Sequence, residues 1–224
     1  MLITAGEARV LIVNGTDPAA LGNAISKARH PGLDRLDLMI VSGNAAAAEM
    51  VPRAIELLNP RSMMTVGGVA SLAGTSLVPR KVILRSTEVE LPEGVSITIE
   101  VWPSANEEND DVTWSARIER GGASVYWVSD REDLMQDSLP DAVDVTVIGR
   151  GAPAADTPFP ITRAIVVSGE SISGPDLRAI ALDALGSEGE TKRVFAGEDL
   201  RIDLDLEGVR TISGSTPAGT PAAA

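Results

Sequence analysis

The chain has 224 residues, of which 44% are hydrophobic, and this is enough apolar material for one sizeable core. Its net charge of −13 argues against a surface that binds nucleic acid directly, because affinity for phosphates depends on lysine and arginine. One histidine and no cysteine leave few of the nitrogen and sulfur ligands that zinc prefers.

The first 66 residues alternate apolar strands with amphipathic helices. Strands are predicted at Ala8–Val13, Leu36–Val41 and Ser62–Val66. Helices are predicted after Asp17-Pro18, which provides an N-cap and a first-turn proline, and from about Ala46 to Leu58. Pro52 is assigned to the first turns of the second helix, where a missing amide is tolerated. The alternation predicts a sheet with parallel strands covered by helices.

The middle of the chain changes to a period of two, which is typical of half-buried antiparallel strands. The strands predicted from this pattern are Lys81–Arg85, Val95–Val101 and Val112–Ile118. A hairpin turn at Gly121-Gly122 is predicted to join the last of these to a strand at Ser124–Val128. Arg80, Lys81 and Arg85 form either a local basic patch or the solvated ends of a strand.

The second half repeats the opening pattern. Strands are predicted at Val143–Ile148, at Ala164–Val167 and from Leu200 to Leu206, and helices from about Arg131 and from Ser173 to Gly186. Residues 1–213 are expected to form a single domain, with a disordered tail over 214–224. No apolar run reaches the roughly 20 residues of a membrane-spanning helix, and no signal peptide is recognised, so we expect a soluble chain of undetermined localisation.

The junction between the second strand and its helix carries no ligand chemistry. Ser42 is followed by Gly43, Asn44 and four alanines, at a junction where many α/β hydrolytic folds place their metal ligands. The sequence therefore predicts an enzyme-like α/β scaffold that has lost its active centre.

Five landmarks stand in a characteristic order along the chain. They are Val10–Ile12 with the Gly15–Pro18 turn, Leu36–Ser42, Val101-Trp102-Pro103, Asn109-Asp110-Asp111 and Gly121–Asp130. In this order they resemble the metallo-β-lactamase fold, and specifically the soluble metallo-β-lactamase-like domain of the ComEC competence (DNA-uptake) proteins. The resemblance covers Leu2 to Ser213 and implies a four-layer αββα sandwich with mixed sheets.

The resemblance also implies that the family's metal ligands have been replaced. Its His-x-His-x-Asp-His motif and its paired late histidines are matched by the vestigial positions Gly43, Ala45, Ala47, Ala48, Arg150 and Gly151. Asp130 keeps a carboxylate at the position of the metal-bridging aspartate, and the aspartate of the first turn falls on Val13 or, one residue later, on Asn14. Since a catalytic zinc needs about three protein ligands, we expect no metal, no cofactor and no catalytic residue.

Two questions stay open at this point. Asp130 could cap the helix that follows it or retain a metal, and Arg150 could pair with Asp130 in place of the lost cation. The leading hypothesis is a catalytically inactive binding or structural module with a protein partner, linked by the resemblance to a DNA-uptake assembly. The alternative is a metal-dependent hydrolase, a phosphodiesterase or nuclease, that groups Asp130 with Asp17 or Asp156 around a magnesium-type ion.

Overall fold

The computed structural model of the chain describes residues 1–14, 36–67, 78–103, 112–129, 139–149, 160–168, 190–194, 200–204, 206 and 209–214. One sheet, called sheet A, contains β1 (Leu2–Ala5), β2 (Ala8–Val13), β3 (Leu38–Ser42), β4 (Ser62–Val66), β5 (Arg80–Ile83), β13 (Leu200–Leu204) and β14 (Val209–Gly214). The other, sheet B, contains β6 (Thr87–Leu91), β7 (Val95–Pro103), β8 (Val112–Arg120), β9 (Ala123–Val128), β10 (Ala142–Ile148), β11 (Ile161–Ser168) and β12 (Glu190–Val194). The strand order is β14-β13-β1-β2-β3-β4-β5 in sheet A and β12-β11-β10-β9-β8-β7-β6 in sheet B.

Strands β2 to β5 of sheet A run parallel, and helix α1 (Ala45–Leu58) connects β3 to β4. The strands β2 to β4 carry apolar runs because they face sheet B on one side and α1 on the other. The predicted parallel sheet is confirmed. The prediction of an antiparallel strand at Lys81–Arg85 is wrong, since β5 is parallel to β4. Its first three residues are exposed because β5 is the last strand of the sheet.

Sheet B begins as an antiparallel meander and ends as a parallel sheet. Strands β6 to β9 are antiparallel neighbours, and β10 to β12 follow in parallel register from β9. The predicted hairpin is confirmed between β8 and β9, where Gly121 has a φ of 58° that favours glycine. Both sheets are therefore mixed, as expected. A short 3-10 turn, Pro92–Gly94, separates β6 from β7.

The main core lies between the two sheets. Alternate side chains of both sheets meet there, as the two-residue period of a strand requires. The rings of Trp114 and Trp127 lie in this layer, with centroids 4.3 Å apart and planes tilted by 49°. A second apolar cluster lies on the outer face of sheet A, where Met50, Val51 and Ala54 of α1 are buried. Strands β2 to β4 of sheet A are thus enclosed on both faces.

Helix α1 has a polar cap at each end. The Asn44 Oδ1 atom accepts a hydrogen bond from the Ala47 amide at 2.7 Å, and Asn59 ends the helix in the left-handed region with a φ of 41°. The helix predicted from about Ala46 to Leu58 is confirmed. Pro52 is not in the first turn, however, since it is the eighth of the 14 residues counted from Ala45. It therefore removes an amide from the helix interior.

The carboxyl-terminal strands complete sheet A. Strand β13 lies within the predicted strand from Leu200 to Leu206, and it pairs in parallel with β1 and antiparallel with β14. Strand β14 was not predicted. Gly214, assigned to the tail by the sequence, is the last residue of β14, and residues 215–224 lie outside the described residues. The helices predicted after Asp17, from Arg131 and from Ser173 also lie outside them. Within the described ranges, no helix is long and apolar enough to cross a membrane.

Candidate site at the carboxyl edge of the two sheets

The carboxyl ends of β2, β3 and β9 meet at one edge of the sandwich. Asn14 follows β2, Ser42 ends β3, and Ser129 follows β9. The Asn14 Nδ2 atom donates to the Ser129 carbonyl at 3.0 Å, and its Oδ1 atom accepts from the Ser42 hydroxyl at 2.5 Å. Because Asn14 follows a strand of sheet A and Ser129 a strand of sheet B, the bond between them joins the two sheets.

Two further side chains extend this network. The buried Trp114 Nε1–H donates to Ser42 Oγ at 3.1 Å, and Asn44 Nδ2 donates to the Asn14 carbonyl at 3.1 Å. We call Asn14, Ser42, Asn44, Trp114 and Ser129 the Asn14 cluster. Both polar atoms of the Asn14 side chain are engaged within it, and each bond of this kind contributes about 0.5–1.5 kcal/mol to stability.

Two glycines pack tightly around the Asn14 cluster. A Cβ atom on Gly43 would lie 2.6 Å from the Val66 carbonyl oxygen and 3.2 Å from the Gly67 Cα atom. On the other side, a Cβ atom on Gly149 would lie 3.1 Å from Asn14 Nδ2. Position 43 thus has no room for any side chain unless the end of β4 moves.

Four of the predicted site positions lie among the described residues. Gly43 lies at this edge, and Ala45 is the first residue of α1. Ala47 and Ala48 are buried in the apolar cluster between α1 and sheet A. The remaining vestigial positions, Asp130, Arg150 and Gly151, lie outside the described residues, as do Asp17 and Asp156. The Asp130–Arg150 pair and the carboxylate site therefore remain predictions.

The sequence left the first-turn position open between two residues. Val13 is buried in the apolar cluster beneath α1, whereas Asn14 provides the polar side chain at the edge. Sequence reasoning missed the roles of Ser42, Asn44 and Trp114. The signal for Trp114 was present, because a buried indole N–H needs an acceptor. The identity of that acceptor depends on how the two sheets stack.

The described residues of this edge do not fit a zinc site. Its side chains are two amides, two hydroxyls and an indole, and the amides, the Ser42 hydroxyl and the indole are already hydrogen-bonded within the cluster. Zinc sites in proteins use thiolate, imidazole and carboxylate ligands. No group of three such residues that could hold a metal occurs within the ranges the structure describes.

No protein-family model and no curated protein matches the chain. Its two stacked mixed sheets with a helix on the outer face are similar to the crystal structure of the metallo-β-lactamase fold protein YhfI from Bacillus subtilis. That similarity covers 86% of both chains with a TM-score of 0.51 at 14% sequence identity. The chain therefore has the metallo-β-lactamase fold, an α/β sandwich, as expected from the resemblance.

Two further solved structures are similar over much of their length. Zn(2+)-bound PqqB from Methylobacterium extorquens matches with a TM-score of 0.45 and 13% identity, over 86% of this chain and 73% of that chain. Igni18, a metallo hydrolase from the archaeon Ignicoccus hospitalis, matches with a TM-score of 0.47 and 11% identity, over 73% and 78%. At these identities the likeness concerns fold and not activity.

Proposed function

We propose that this chain is a catalytically inactive metallo-β-lactamase-fold domain that acts as a binding or structural module. The observation that carries the proposal is the chemistry of the carboxyl edge. There Asn14 and Ser42 hydrogen-bond to each other and Gly43 abuts the Val66 carbonyl. A hydrolytic metal centre needs about three strong donors and an open coordination position, and this arrangement supports neither.

The presence of an asparagine at position 14, rather than an aspartate, supports the same proposal. An amide both donates and accepts, and Asn14 does both: Nδ2 donates to Ser129 and Oδ1 accepts from Ser42. An ionised aspartate has acceptors alone and would repel the Ser129 carbonyl. The residue therefore suits a structural link between the sheets better than it suits a metal.

The proposed partner is another protein. The net charge of −13 disfavours direct binding to DNA, because phosphate contacts depend on lysine and arginine. The resemblance of the landmark segments to the ComEC domain is the support for placing the module in a DNA-uptake assembly. This assignment concerns the role of the chain and does not depend on its binding DNA itself.

The proposal is tested by adding metal to the full chain after treatment with a chelator. We expect calorimetric titration with Zn²⁺ or Mn²⁺ to show no stoichiometric binding, and the unfolding temperature to be the same with EDTA as with Zn²⁺. An Asn14→Asp variant should be less stable by about 1–3 kcal/mol, since its carboxylate faces the Ser129 carbonyl, and Zn²⁺ should not restore the loss.

The opposite result would favour the hydrolase alternative. A metal that binds the native state raises its stability in proportion to the logarithm of metal concentration over Kd. Stoichiometric binding with such stabilisation, together with hydrolysis of a phosphodiester substrate, would overturn the proposal. It would direct attention to Asp130, Asp17 and Asp156.

A further inference from the structure

One lateral edge of the sandwich is formed by β5 and β6. Each is the last strand of its sheet, and residues 84–86 link them directly. Within the described part of the chain, β5 pairs with β4 and β6 pairs with β7, so each strand has one side without a neighbour. An open strand side presents backbone N–H and C=O groups that can pair with another strand.

Strand β5 and the link after it are basic and partly apolar at the surface. Arg80, Lys81 and Arg85 are exposed, and none of them forms an ion pair with another described residue. Beside them, Val82 is 44% and Leu84 65% exposed. This is an unusual stretch in a chain with a net charge of −13. It combines cations, apolar side chains and an open strand side.

Strand β6 is acidic on its exposed side. Glu88 and Glu90 are exposed and pair with Thr98 and Ser96 of β7, on the face of sheet B that points away from the core. Val89, between them, packs against the core layer. The two strands at this lateral edge therefore carry opposite charges.

The face that carries Arg80 also matches the face that carries the two glutamates. Arg80 is in register with Met63 of β4, which is buried in the cluster beneath α1, so Arg80 lies on the outer face of sheet A. Glu88 and Glu90 lie on the outer face of sheet B. A two-fold axis that runs along this edge between the sheets would set β5 of one copy beside β6 of the other. Arg80 would then lie on the same surface as the partner's glutamates.

We propose that this edge binds a second copy of the chain, with β5 of each copy beside β6 of the other. Such a contact is isologous, as in most homodimers, so it occurs twice. Each time, the basic residues of β5 face the acidic residues of β6 in the other copy. Val82 and Leu84 would be covered at the contact. This inference is independent of the proposed function, because it uses no residue of the carboxyl edge.

A competing explanation for Arg80 and Lys81 is protection, since charged residues on edge strands often prevent sheets from associating. The two explanations differ in what a second charge change does. If the charges of β5 only prevent association, reversing the charges of Glu88 and Glu90 as well will not restore it. If β5 and β6 form a complementary contact, association is restored when the charges on both strands are reversed.

The experiment is sedimentation velocity of the full chain over a series of concentrations and salt. We expect a reversible dimer that weakens as salt rises, because exposed charges are screened. Two variants, Arg80→Glu/Lys81→Glu and Glu88→Lys/Glu90→Lys, should each dimerise at least about tenfold more weakly, because like charges would face each other. Mixed in equal amounts, the two variants should form a heterodimer.

The matched control changes an exposed ion pair on helix α1 and leaves both edge strands unchanged. Arg53 and Glu56 lie on α1 with side chains 51% and 68% exposed, so Arg53→Glu/Glu56→Arg should dimerise as the wild type does. A wild-type chain that stays monomeric at every concentration would overturn the inference and assign Arg80 and Lys81 to protection. Folded variants that fail to associate when mixed would also overturn it. Metal titration of the carboxyl edge would be unaffected by either result.

Discussion

Gly43 shows how a single backbone contact constrains the candidate site. The residue lies between β3 and α1. Because it has no side chain, the Val66 carbonyl oxygen can approach closely, and a Cβ atom at position 43 would lie only 2.6 Å from that oxygen. The family resemblance predicts that this glycine stands at a former ligand position. The structure adds that the neighbouring strand end fills the space, so a donor at position 43 would require the backbone of β4 to shift.

We therefore expect Gly43→Ala to lower the free energy of unfolding by about 1–3 kcal/mol, the range typical of forced overpacking. Urea unfolding followed by tryptophan fluorescence would measure the change. Gly122→Ala is the matched control, because its Cβ atom would lie 3.5 Å from the Leu206 carbonyl oxygen, an ordinary contact. Equal stability of the two variants would show that the end of β4 yields easily and would contradict this account.

Pro52 raises a question at the level of the element. It occupies the interior of α1, exposed to solvent, and has no amide hydrogen to donate to the Ala48 carbonyl one turn earlier. The helix forms nevertheless, because Met50, Val51 and Ala54 are buried against sheet A. Tertiary packing of the apolar face offsets the weak local propensity.

Pro52→Ala should therefore stabilise the protein, by about 1–3 kcal/mol, since a helix-interior proline costs roughly 3 kcal/mol relative to alanine and some of this is relieved by local bending. A shift of the thermal unfolding midpoint to higher temperature would be the readout. Arg53→Ala, at the neighbouring exposed position, should change stability by less than about 0.5 kcal/mol. A destabilised Pro52→Ala protein would mean that the proline shapes the helix for its contact with the sheet.

The whole molecule is acidic, but its charges are unevenly placed. The net charge is −13, yet Arg80, Lys81 and Arg85 are exposed together at one lateral edge. The sequence left open whether these residues form a basic patch or solvated strand ends. They lie on and beside an edge strand, so they form both a basic patch and solvated strand ends. Their attraction for a long anionic ligand is opposed by the net negative charge of the rest of the protein.

We expect the intact protein not to bind duplex DNA at physiological salt, because too few cations could neutralise phosphates against that field. Fluorescence anisotropy of a short labelled duplex would measure this, with Arg80→Glu/Lys81→Glu as the comparison. Wild type and variant should give the same flat titration. Saturable binding by the wild type that strengthens steeply as salt is lowered, and is lost in the variant, would contradict the expectation.

The sequence by itself determined the local elements and the class of fold. Apolar runs predicted β2, β3 and β4, the two-residue period predicted the meander of sheet B, and Gly121-Gly122 predicted its hairpin. These patterns predict strands and turns correctly because the burial of a strand and the geometry of a turn depend mainly on residues close together in sequence. The polar strands β6 and β12 and the short β14 carried too little apolar pattern to be predicted.

Tertiary structure alone decided what lies at the carboxyl edge. Asn14 meets Ser129 across 115 positions of sequence, and Trp114 meets Ser42 across 72. The orientation of β5 and the space at Gly43 likewise depend on which strand lies alongside. Contacts of this kind arise from how the two sheets stack, and no local pattern in the chain encodes which polar group will face which. The sequence predicted that metal donors are missing, and the fold shows which polar groups of the described residues meet at this edge.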